Sequence, residues 1–352
     1  MAKIQIGGAG GAPANNFIRS LNESGRNDYL VGTSCAAADL FLADVAEKYP
    51  IPPALNPAYP EALLKIISKV KPDFIHLQND FEVRAVSRLR EQIESFGVKH
   101  YLPAAETVEI CVDKEKSYQI WQRAGLPVPK TMLLYGPDDL RKAFEQYGET
   151  IWVRAIEGGA GRGALPANNY DFAKIWIDRF NGWGAFTASE LLTKDTVTWL
   201  SIWYNGELVV AQTRRRLSWN FGNRTLSGVT GITGVGETYS NETVDRISQD
   251  AILTIDTKPH GIFAVDMTYD RSGVPNPTEI NIGRFFTTHY FFTKAGLNMP
   301  KIYCDIALDQ NFPSLQKRIN PLPDGLIWIR GMDVEPVLTT RNELDAMSLK
   351  QP

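Results

Sequence analysis

Cysteine is scarce: Cys35, Cys111 and Cys304 are odd in number, far apart, and show no CxxC or Cys/His clustering. A disulfide framework or a structural zinc site would need paired or clustered ligands, so neither is expected. Histidine is nearly as rare, with four in 352 residues. His76 and His289 stand isolated, as hydrogen-bonded structural histidines usually do, and receive no catalytic role. No charge of one sign dominates either: 37 basic and 40 acidic residues leave a net charge of -3. The chain therefore has no bulk attraction to nucleic acid or anionic membrane. No window approaches 18 uninterrupted apolar residues, and "MAKIQIGGAGGA" lacks a basic region followed by a long apolar core. A cytoplasmic protein without a membrane span is expected. What the chain does have, 43% hydrophobic and 22% charged residues over 352 positions, is enough to bury a substantial core in two or three compact units.

Residues 3 to 105 alternate strand-like runs ("KIQIGGA", "DYLVGTS", "PDFIHLQ") with segments of helical spacing ("ANNFIRSLNES", "YPEALLKIISKV", "EVRAVSRLREQIESFG"). This α/β alternation predicts a parallel sheet covered by helices. The texture changes near 105 to 112. Beyond it, "FTASELL" and "VTWLSIWYNGELVVAQTRR" predict hairpin-like antiparallel pairing with a turn at Asn205-Gly206. "SNETVDRISQDAILTIDTK" predicts a helix capped near Asn241 or Glu242, and "GIFAVDMTYDRSGVPNPTEINIG" two strands joined by a Gly/Pro-rich turn. Past residue 310 the chain is punctuated by proline, with one short strand-like run, "GLIWIRGM", and a frayed end.

Two glycine-rich segments can be tested against phosphate-binding loops. In "IGGAGGAPANNF" the dinucleotide fingerprint fails, because Pro13 stands where the third glycine belongs and Thr33 and Ser34 where a ribose-binding acid belongs. Two readings stay open there: a turn in which glycines permit close packing, or a helix N-terminus that takes an anionic group. "EGGAGRGA" fails the Walker pattern, since Ala164 and Leu165 follow Gly163 in place of Lys and Ser/Thr. A flexible glycine loop with an arginine, preceded by Arg154, still suits a polyphosphate, although a hairpin tip has the same composition. Downstream, Asp266, Glu279 and Asn281 would lie side by side if the strands around "DRSGVPNP" pair. Hard oxygen donors of this kind suit magnesium held together with substrate phosphates; a solvated sheet face is the alternative.

Taken in order, "GGAGGAPANNFIRSL", "DKEKSYQIWQRAGLPVPKT", "IWVRAIEGGAGRGA", "SELL", "GVTGITGVGE" and "FAVDMTYD…TEINIGR" resemble the ATP-grasp superfamily, and most closely its carbamoyl-phosphate-synthase-like branch, over roughly residues 1 to 300. The resemblance implies an α/β and α+β architecture: a Rossmann-like pre-ATP-grasp domain (1–108), a small lobe with the glycine loop (109–188), a large lobe with the metal ligands (189–310) and a C-terminal extension (311–352). It implies that Lys114 and Arg154 reach nucleotide phosphates, and that Gly158, Gly159, Gly161, Arg162 and Gly163 close over them. Glu190, Leu191 and Leu192 would meet adenine, and Asp266, Glu279 and Asn281 would hold Mg2+, or Mn2+. Arg284 resembles the family's substrate- or phosphate-binding arginine but falls one residue later than the EMNPR spacing. Arg214 and Arg216, if on a strand, share a face that could stabilise an acyl phosphate, and Arg216 joins Arg154 and Arg284 as the catalytic candidates; a solvated basic edge has the same pattern.

The implied activity is ATP-dependent ligation of a small-molecule carboxylate to an amine through an acyl phosphate. Bicarbonate phosphorylation and a non-catalytic ATP-binding regulator are the alternatives. "LQNDFE" and "GGAPANN" are expected walls of the carboxylate pocket, with Asp80 and Glu82 either recognising an amine or capping a helix. No nucleic-acid or membrane partner is expected, and self-association is left open.

Overall fold

The computed structural model describes residues 1–158, 161, 163–229, 231–332 and 337–347. The first layer runs β1 (Lys3–Gly7), α1 (Ala12–Asn22), β2 (Tyr29–Ser34), α2 (Ala37–Leu42), β3 (Glu47–Pro50), α3 (Tyr59–Val70), β4 (Phe74–His76), α4 (Asp80–Arg88) and α5 (Arg90–Ser95). Its four strands pair in parallel in the order β3-β2-β1-β4. Parallel strands cannot be joined by two-residue hairpins, and the intervening helices supply the crossovers. Asn79 caps α4 by accepting the Glu82 N–H at 2.9 Å.

Two helices, α6 (Ala105–Val112) and α7 (Lys114–Arg123), lead to a second, antiparallel sheet. It comprises β5 (Thr131–Leu134), α8 (Pro137–Tyr147), β6 (Ile151–Ala155), β7 (Leu165–Ala167), α9 (Tyr170–Arg179) and β8 (Phe186–Glu190), in strand order β5-β8-β6-β7. The third sheet takes β9 (Thr196–Tyr204), β10 (Glu207–Trp219), β11 (Thr233–Thr238), α10 (Glu242–Ile255), β12 (Gly261–Tyr269) and β13 (Pro275–Ile282). The chain then continues through α11 (Tyr290–Lys294), α12 (Met299–Asp309), β14 (Leu326–Ile329), β15 (Val337–Thr340) and α13 (Arg341–Met347). The order of this seven-stranded sheet is β13-β12-β9-β10-β11-β14-β15.

Two sequence expectations are corrected. "FTASELL" does not join the strands that follow it: β8 pairs with β5 and β6, while β9 and β10 pair with each other in the third sheet. Strand propensity says where a strand is, but not which sheet receives it. Nor is the segment after 310 merely an extension, since β14 pairs with β11 through Val235 and Ile329 and buries Trp328. The Asn205-Gly206 turn is present, with φ of 51° and 94°, as a two-residue hairpin of matching twist requires. Asn241 caps α10 by accepting from Thr243 and Val244.

Period-two alternation gives the large sheet two different faces. Val197, Trp199, Trp203, Phe263 and Val265 pack with α10 and with Trp121 of α7, while Leu200, Ile202, Val210, Ile262 and Ala264 pack with Phe17, Phe285, Phe291 and Tyr303. The second of these clusters also fuses the large sheet to β1 and α1. Among the described residues no helix is long and apolar enough to cross a membrane.

His76 and His289 sit inside that fused core. His76 stacks on Phe17 with ring centroids 4.1 Å apart, and His289 lies against Phe285 at 4.8 Å. Neither ring nitrogen of His76 has a protein partner, and burial drives both imidazoles below the ordinary value, His289 to about 4. A histidine depressed in the folded state takes up its proton on unfolding, so its stabilisation is complete above about pH 6.5 and declines towards pH 4. Glu82, which burial pushes up to about 7, acts in the opposite direction over that window, so the informative quantity is a difference between two proteins. In chemical denaturation, His289→Asn is expected to be less destabilising at pH 5 than at pH 7.5 by about 2 kcal/mol. An equal effect at both pH values would show that His289 is not held neutral.

Candidate functional site

The register of the large sheet places one row of polar side chains across four strands. Glu279 of β13 faces Asp266 of β12, Asp266 faces Thr198 of β9, and Thr198 faces Arg214 of β10. Directly opposed residues stand about 5 Å apart, so this row is a consequence of pairing alone. Two positions along, Asn281 and Arg216 join the same face, and Arg216 is registered with Thr196. The face is the one opposite α10, at the polar end of the strands whose other end builds the aromatic core.

Hydrogen bonds follow the row. Arg214 donates to Thr198 Oγ1 at 2.7 Å, Thr198 donates to Asp266 Oδ1 at 2.5 Å, and Asn281 Nδ2 donates to Asp266 Oδ2 at 2.9 Å. Asn281 Oδ1 in turn accepts from Arg284 Nη2. Arg216 donates to Thr196 at 2.7 Å and Thr233 at 3.0 Å, with its guanidinium 3.7 Å from the centroid of the Trp219 ring. Arg215 points to the other face and pairs with Glu237, as alternation demands.

Two further cations arrive from outside the sheet. Lys114, the first residue of α7, brings Nζ to 3.3 Å from Glu279 Oε2 and donates to the Gly158 carbonyl at 2.6 Å. Arg154 of β6 donates to the Thr278 carbonyl at 2.8 Å. That carbonyl belongs to a bulge: Asp266 faces Glu279 and Met267 faces Pro277, leaving Thr278 unpaired between them. A bulge of this kind breaks the ladder locally and re-aims the backbone, here towards the second sheet. Burial would raise the Glu279 carboxyl, but Lys114, Arg154 and Arg284 outweigh it and hold the group below its ordinary value.

The one-residue offset of Arg284 also has a structural account. Gly283 follows β13 with φ of 67°, a left-handed residue that absorbs the extra position, and Arg284 returns to the side of Asn281. Asp80 of α4 meets it with Oδ1 2.6 Å from Nε and Oδ2 3.1 Å from Nη2. Asp80 therefore caps nothing. Glu82 is buried under the β1–α1 turn, accepting from Asn79 at 2.6 Å and from Tyr59 at 3.3 Å. A Cβ on Gly7 would lie 2.6 Å from its Oε2, so this glycine permits the close packing of the β1–α1 turn on Glu82.

Glu190 ends β8 and accepts the Lys130 N–H at 2.8 Å, while Thr193, just past Leu191 and Leu192, donates to the Tyr269 carbonyl at 2.7 Å. This segment thus crosses from the second sheet to the third. In the glycine loop, Gly158, Gly161 and Gly163 are described; Gly159 and Arg162 lie outside the described residues. A Cβ on Gly161 would come within 2.9 Å of the Val229 carbonyl, so the two glycine-bearing loops meet there.

The donors Asp266, Glu279 and Asn281 amount to two carboxylates and an amide oxygen. No group of three His, Cys, Asp or Glu side chains is placed to hold a metal among the described residues. Such a set fits Mg2+, which prefers a few protein oxygens completed by phosphate oxygens and water. Two surface clefts of about 710 and 380 Å3 flank α10, and none of these residues lines them. Chemistry and not volume selects the site.

Sequence reasoning missed Thr196 and Thr198, although their spacing of two, matching that of Arg214 and Arg216, was the signal. It also missed that Arg214 is a buried cation with no carboxylate in ion-pair contact. Arg214 is 1% exposed, bonded to Thr198, Thr233 and Thr288, and its Nε has no partner. Three bonds to neutral groups return about 0.5–1.5 kcal/mol each, against a desolvation penalty of several kcal/mol. Burial accordingly drives this guanidinium well below its ordinary value. Arg214→Met is expected to leave stability unchanged or raise it by about 1–2 kcal/mol in urea denaturation. A loss of comparable size would mean that the threonine bonds dominate.

No family model matches the chain. Among curated proteins it is 30% identical over 128 residues to a probable alpha-L-glutamate ligase from Alkalilimnicola ehrlichii, covering 35% of this chain and 42% of that one. It is 25% identical over 199 residues to the carbamoyl phosphate synthase large chain of Pyrococcus furiosus, covering 55% of this chain and 18% of that one. The chain thus spans less than half the length of these relatives. Among solved structures, biotin carboxylase from Campylobacter jejuni, a β-γ-ATP complex, superposes with a TM-score of 0.71 at 18% identity over 94% of this chain and 75% of that one. L-amino acid ligase from Bacillus licheniformis superposes with a TM-score of 0.68 at 14% identity over 93% and 79%. With three sheets in this arrangement and these neighbours, the chain has the ATP-grasp fold.

Proposed function

We propose that the chain is an ATP-dependent ligase that converts a small-molecule carboxylate to an acyl phosphate and joins it to an amine. The observation that carries this reading is the convergence of Lys114, Arg154 and Arg284, from three separate parts of the fold, on the oxygen donors Asp266, Glu279 and Asn281. Cations and hard oxygen ligands together are what phosphoryl transfer needs, because its catalysis is mostly positioning and charge stabilisation.

Lys114 and Arg154 hold the β- and γ-phosphates, Lys114 as a point charge and Arg154 as a directional fork. The loop from Gly158 to Gly163 covers them, and Glu190, Leu191 and Leu192 take the adenine. Asp266, Glu279 and Asn281 hold Mg2+, which when bound neutralises phosphate charge. A substrate carboxylate oxygen attacks the γ-phosphorus and ADP leaves. The amine nitrogen then attacks the acyl carbon, expelling phosphate, and loses a proton. Arg216 and Arg284 face the developing charge with donors already oriented, so no reorganisation is needed at the moment of reaction.

Bicarbonate in place of the organic carboxylate is the second reading, favoured by the match to the Pyrococcus furiosus protein over 55% of this chain. Phosphate release from Mg-ATP, measured across a panel of carboxylates, amines and bicarbonate with mass spectrometry of the products, separates the two. The expected result is release that requires both a carboxylate and an amine and falls about 100-fold or more in Glu279→Gln. Release with bicarbonate alone would favour the second reading, and tight ATP binding without turnover would favour a regulator.

A further inference from the structure

The seam between the parallel sheet and the large sheet carries an ion pair that the proposed chemistry does not by itself require. Arg284 has five N–H donors. Nε and one proton of Nη2 go to the two oxygens of Asp80, and the other Nη2 proton goes to Asn281. A side-on bidentate carboxylate fixes both the plane and the rotation of a guanidinium, which a single hydrogen bond does not. The two Nη1 protons are the donors left over.

Asp80 is itself held. It is the first residue of α4, and Asn79 fixes the start of that helix through the Glu82 N–H. The approach of the two elements depends on a missing side chain: a Cβ on Gly283 would lie 2.8 Å from Val83 Cγ1 and 3.3 Å from Leu102. Gly283 therefore lets the end of β13 close onto α4, one residue before Arg284 meets Asp80. Burial would lower the Arg284 guanidinium, but Asp80 and the nearby Glu279 and Asp266 more than compensate, so the charge is retained.

We infer that Asp80 is a positioning residue for Arg284, and that the parallel-sheet layer sets the orientation in which Arg284 presents its Nη1 edge to a transferring phosphoryl or acyl phosphate group. The inference rests on the ligase reading and deepens it, because it makes the first layer part of the reacting site and not only a wall of the substrate pocket. Asp80 touches no ligand in this account and acts through Arg284 alone.

The test compares MgADP binding with and without fluoroaluminate, a mimic of the transferring phosphoryl group, by calorimetry in wild type, Asp80→Asn, Asp80→Glu and Gly283→Ala, with melting temperatures alongside. Wild type is expected to bind MgADP at least about tenfold more tightly with fluoroaluminate, as sites complementary to a transition state do. Asp80→Asn should keep MgADP affinity within about twofold and lose about tenfold or more of the fluoroaluminate gain, the scale of misplacing one directional charge. Asp80→Glu, which retains the charge, should recover part of the gain. Gly283→Ala should mimic Asp80→Asn, and combining the two should add little.

An undiminished gain in a folded Asp80→Asn protein overturns the inference, as does wild-type binding of MgADP with no gain at all. Parallel loss of MgADP affinity, gain and melting temperature would make Asp80 merely structural. A larger gain in Asp80→Asn would make it a competitor for Arg284. Failure of wild type to bind MgADP would instead overturn the ligase reading, and this inference with it.

Discussion

Positive charge held out of water is the constraint on which this structure turns. Lys114, Arg154, Arg214, Arg216 and Arg284 converge on Asp80, Asp266 and Glu279, so basic groups outnumber acidic ones in a partly desolvated space. Burying charge without full compensation is unfavourable, and the fold tolerates it only through a dense set of hydroxyl, amide and carbonyl partners. Thr196, Thr198, Thr233, Thr288, Asn281 and the Thr278 carbonyl fill that role. An anion entering such a site would relieve the imbalance, and polyphosphate carries the charge to do so.

The large sheet makes this arrangement possible because its two ends do different work. The same strands that carry Thr198, Arg214 and Asp266 at one end carry Leu200, Ile202, Val210 and Ile262 at the other, and the apolar end locks the sheet onto the aromatic cluster around Phe285. Buried apolar area offsets the desolvation at the polar end. The rigidity of the packed end also keeps the register, so residues two apart on neighbouring strands stay on one face. The second sheet, by contrast, has its own small core and reaches the site through two side-chain bridges, Arg154 to the Thr278 carbonyl and Lys114 to Gly158 and Glu279.

The first layer is the more unexpected contributor. Its glycine turn is compact, with a buried carboxyl beneath it. Its contact with the oxygen-donor row runs through Asp80 and Arg284, and the missing side chain at Gly283 permits the approach. At below 20% identity over nearly the whole chain, the fold of these neighbours is retained.

Much of this was determined by the sequence alone. Alternation of strands and helices before residue 105 required a parallel sheet, the spacing of Glu279 and Asn281 required one face, and Asn205-Gly206 required a tight hairpin, because periodicity and turn chemistry are local. The scarcity of cysteine and histidine and the near balance of charge argued against metal-cluster, disulfide-stapled and nucleic-acid-binding classes, since each of those needs a composition this chain does not have. Tertiary structure alone decided what depends on register and approach: which sheet receives β8, that β14 completes the large sheet, that Thr278 bulges to meet Arg154, and that Asp80 binds an arginine and caps no helix. The last two of these contacts join residues 124 and 204 positions apart. No local propensity encodes them; packing of the three sheets brings them together, and only then does the oxygen-donor row acquire its cations.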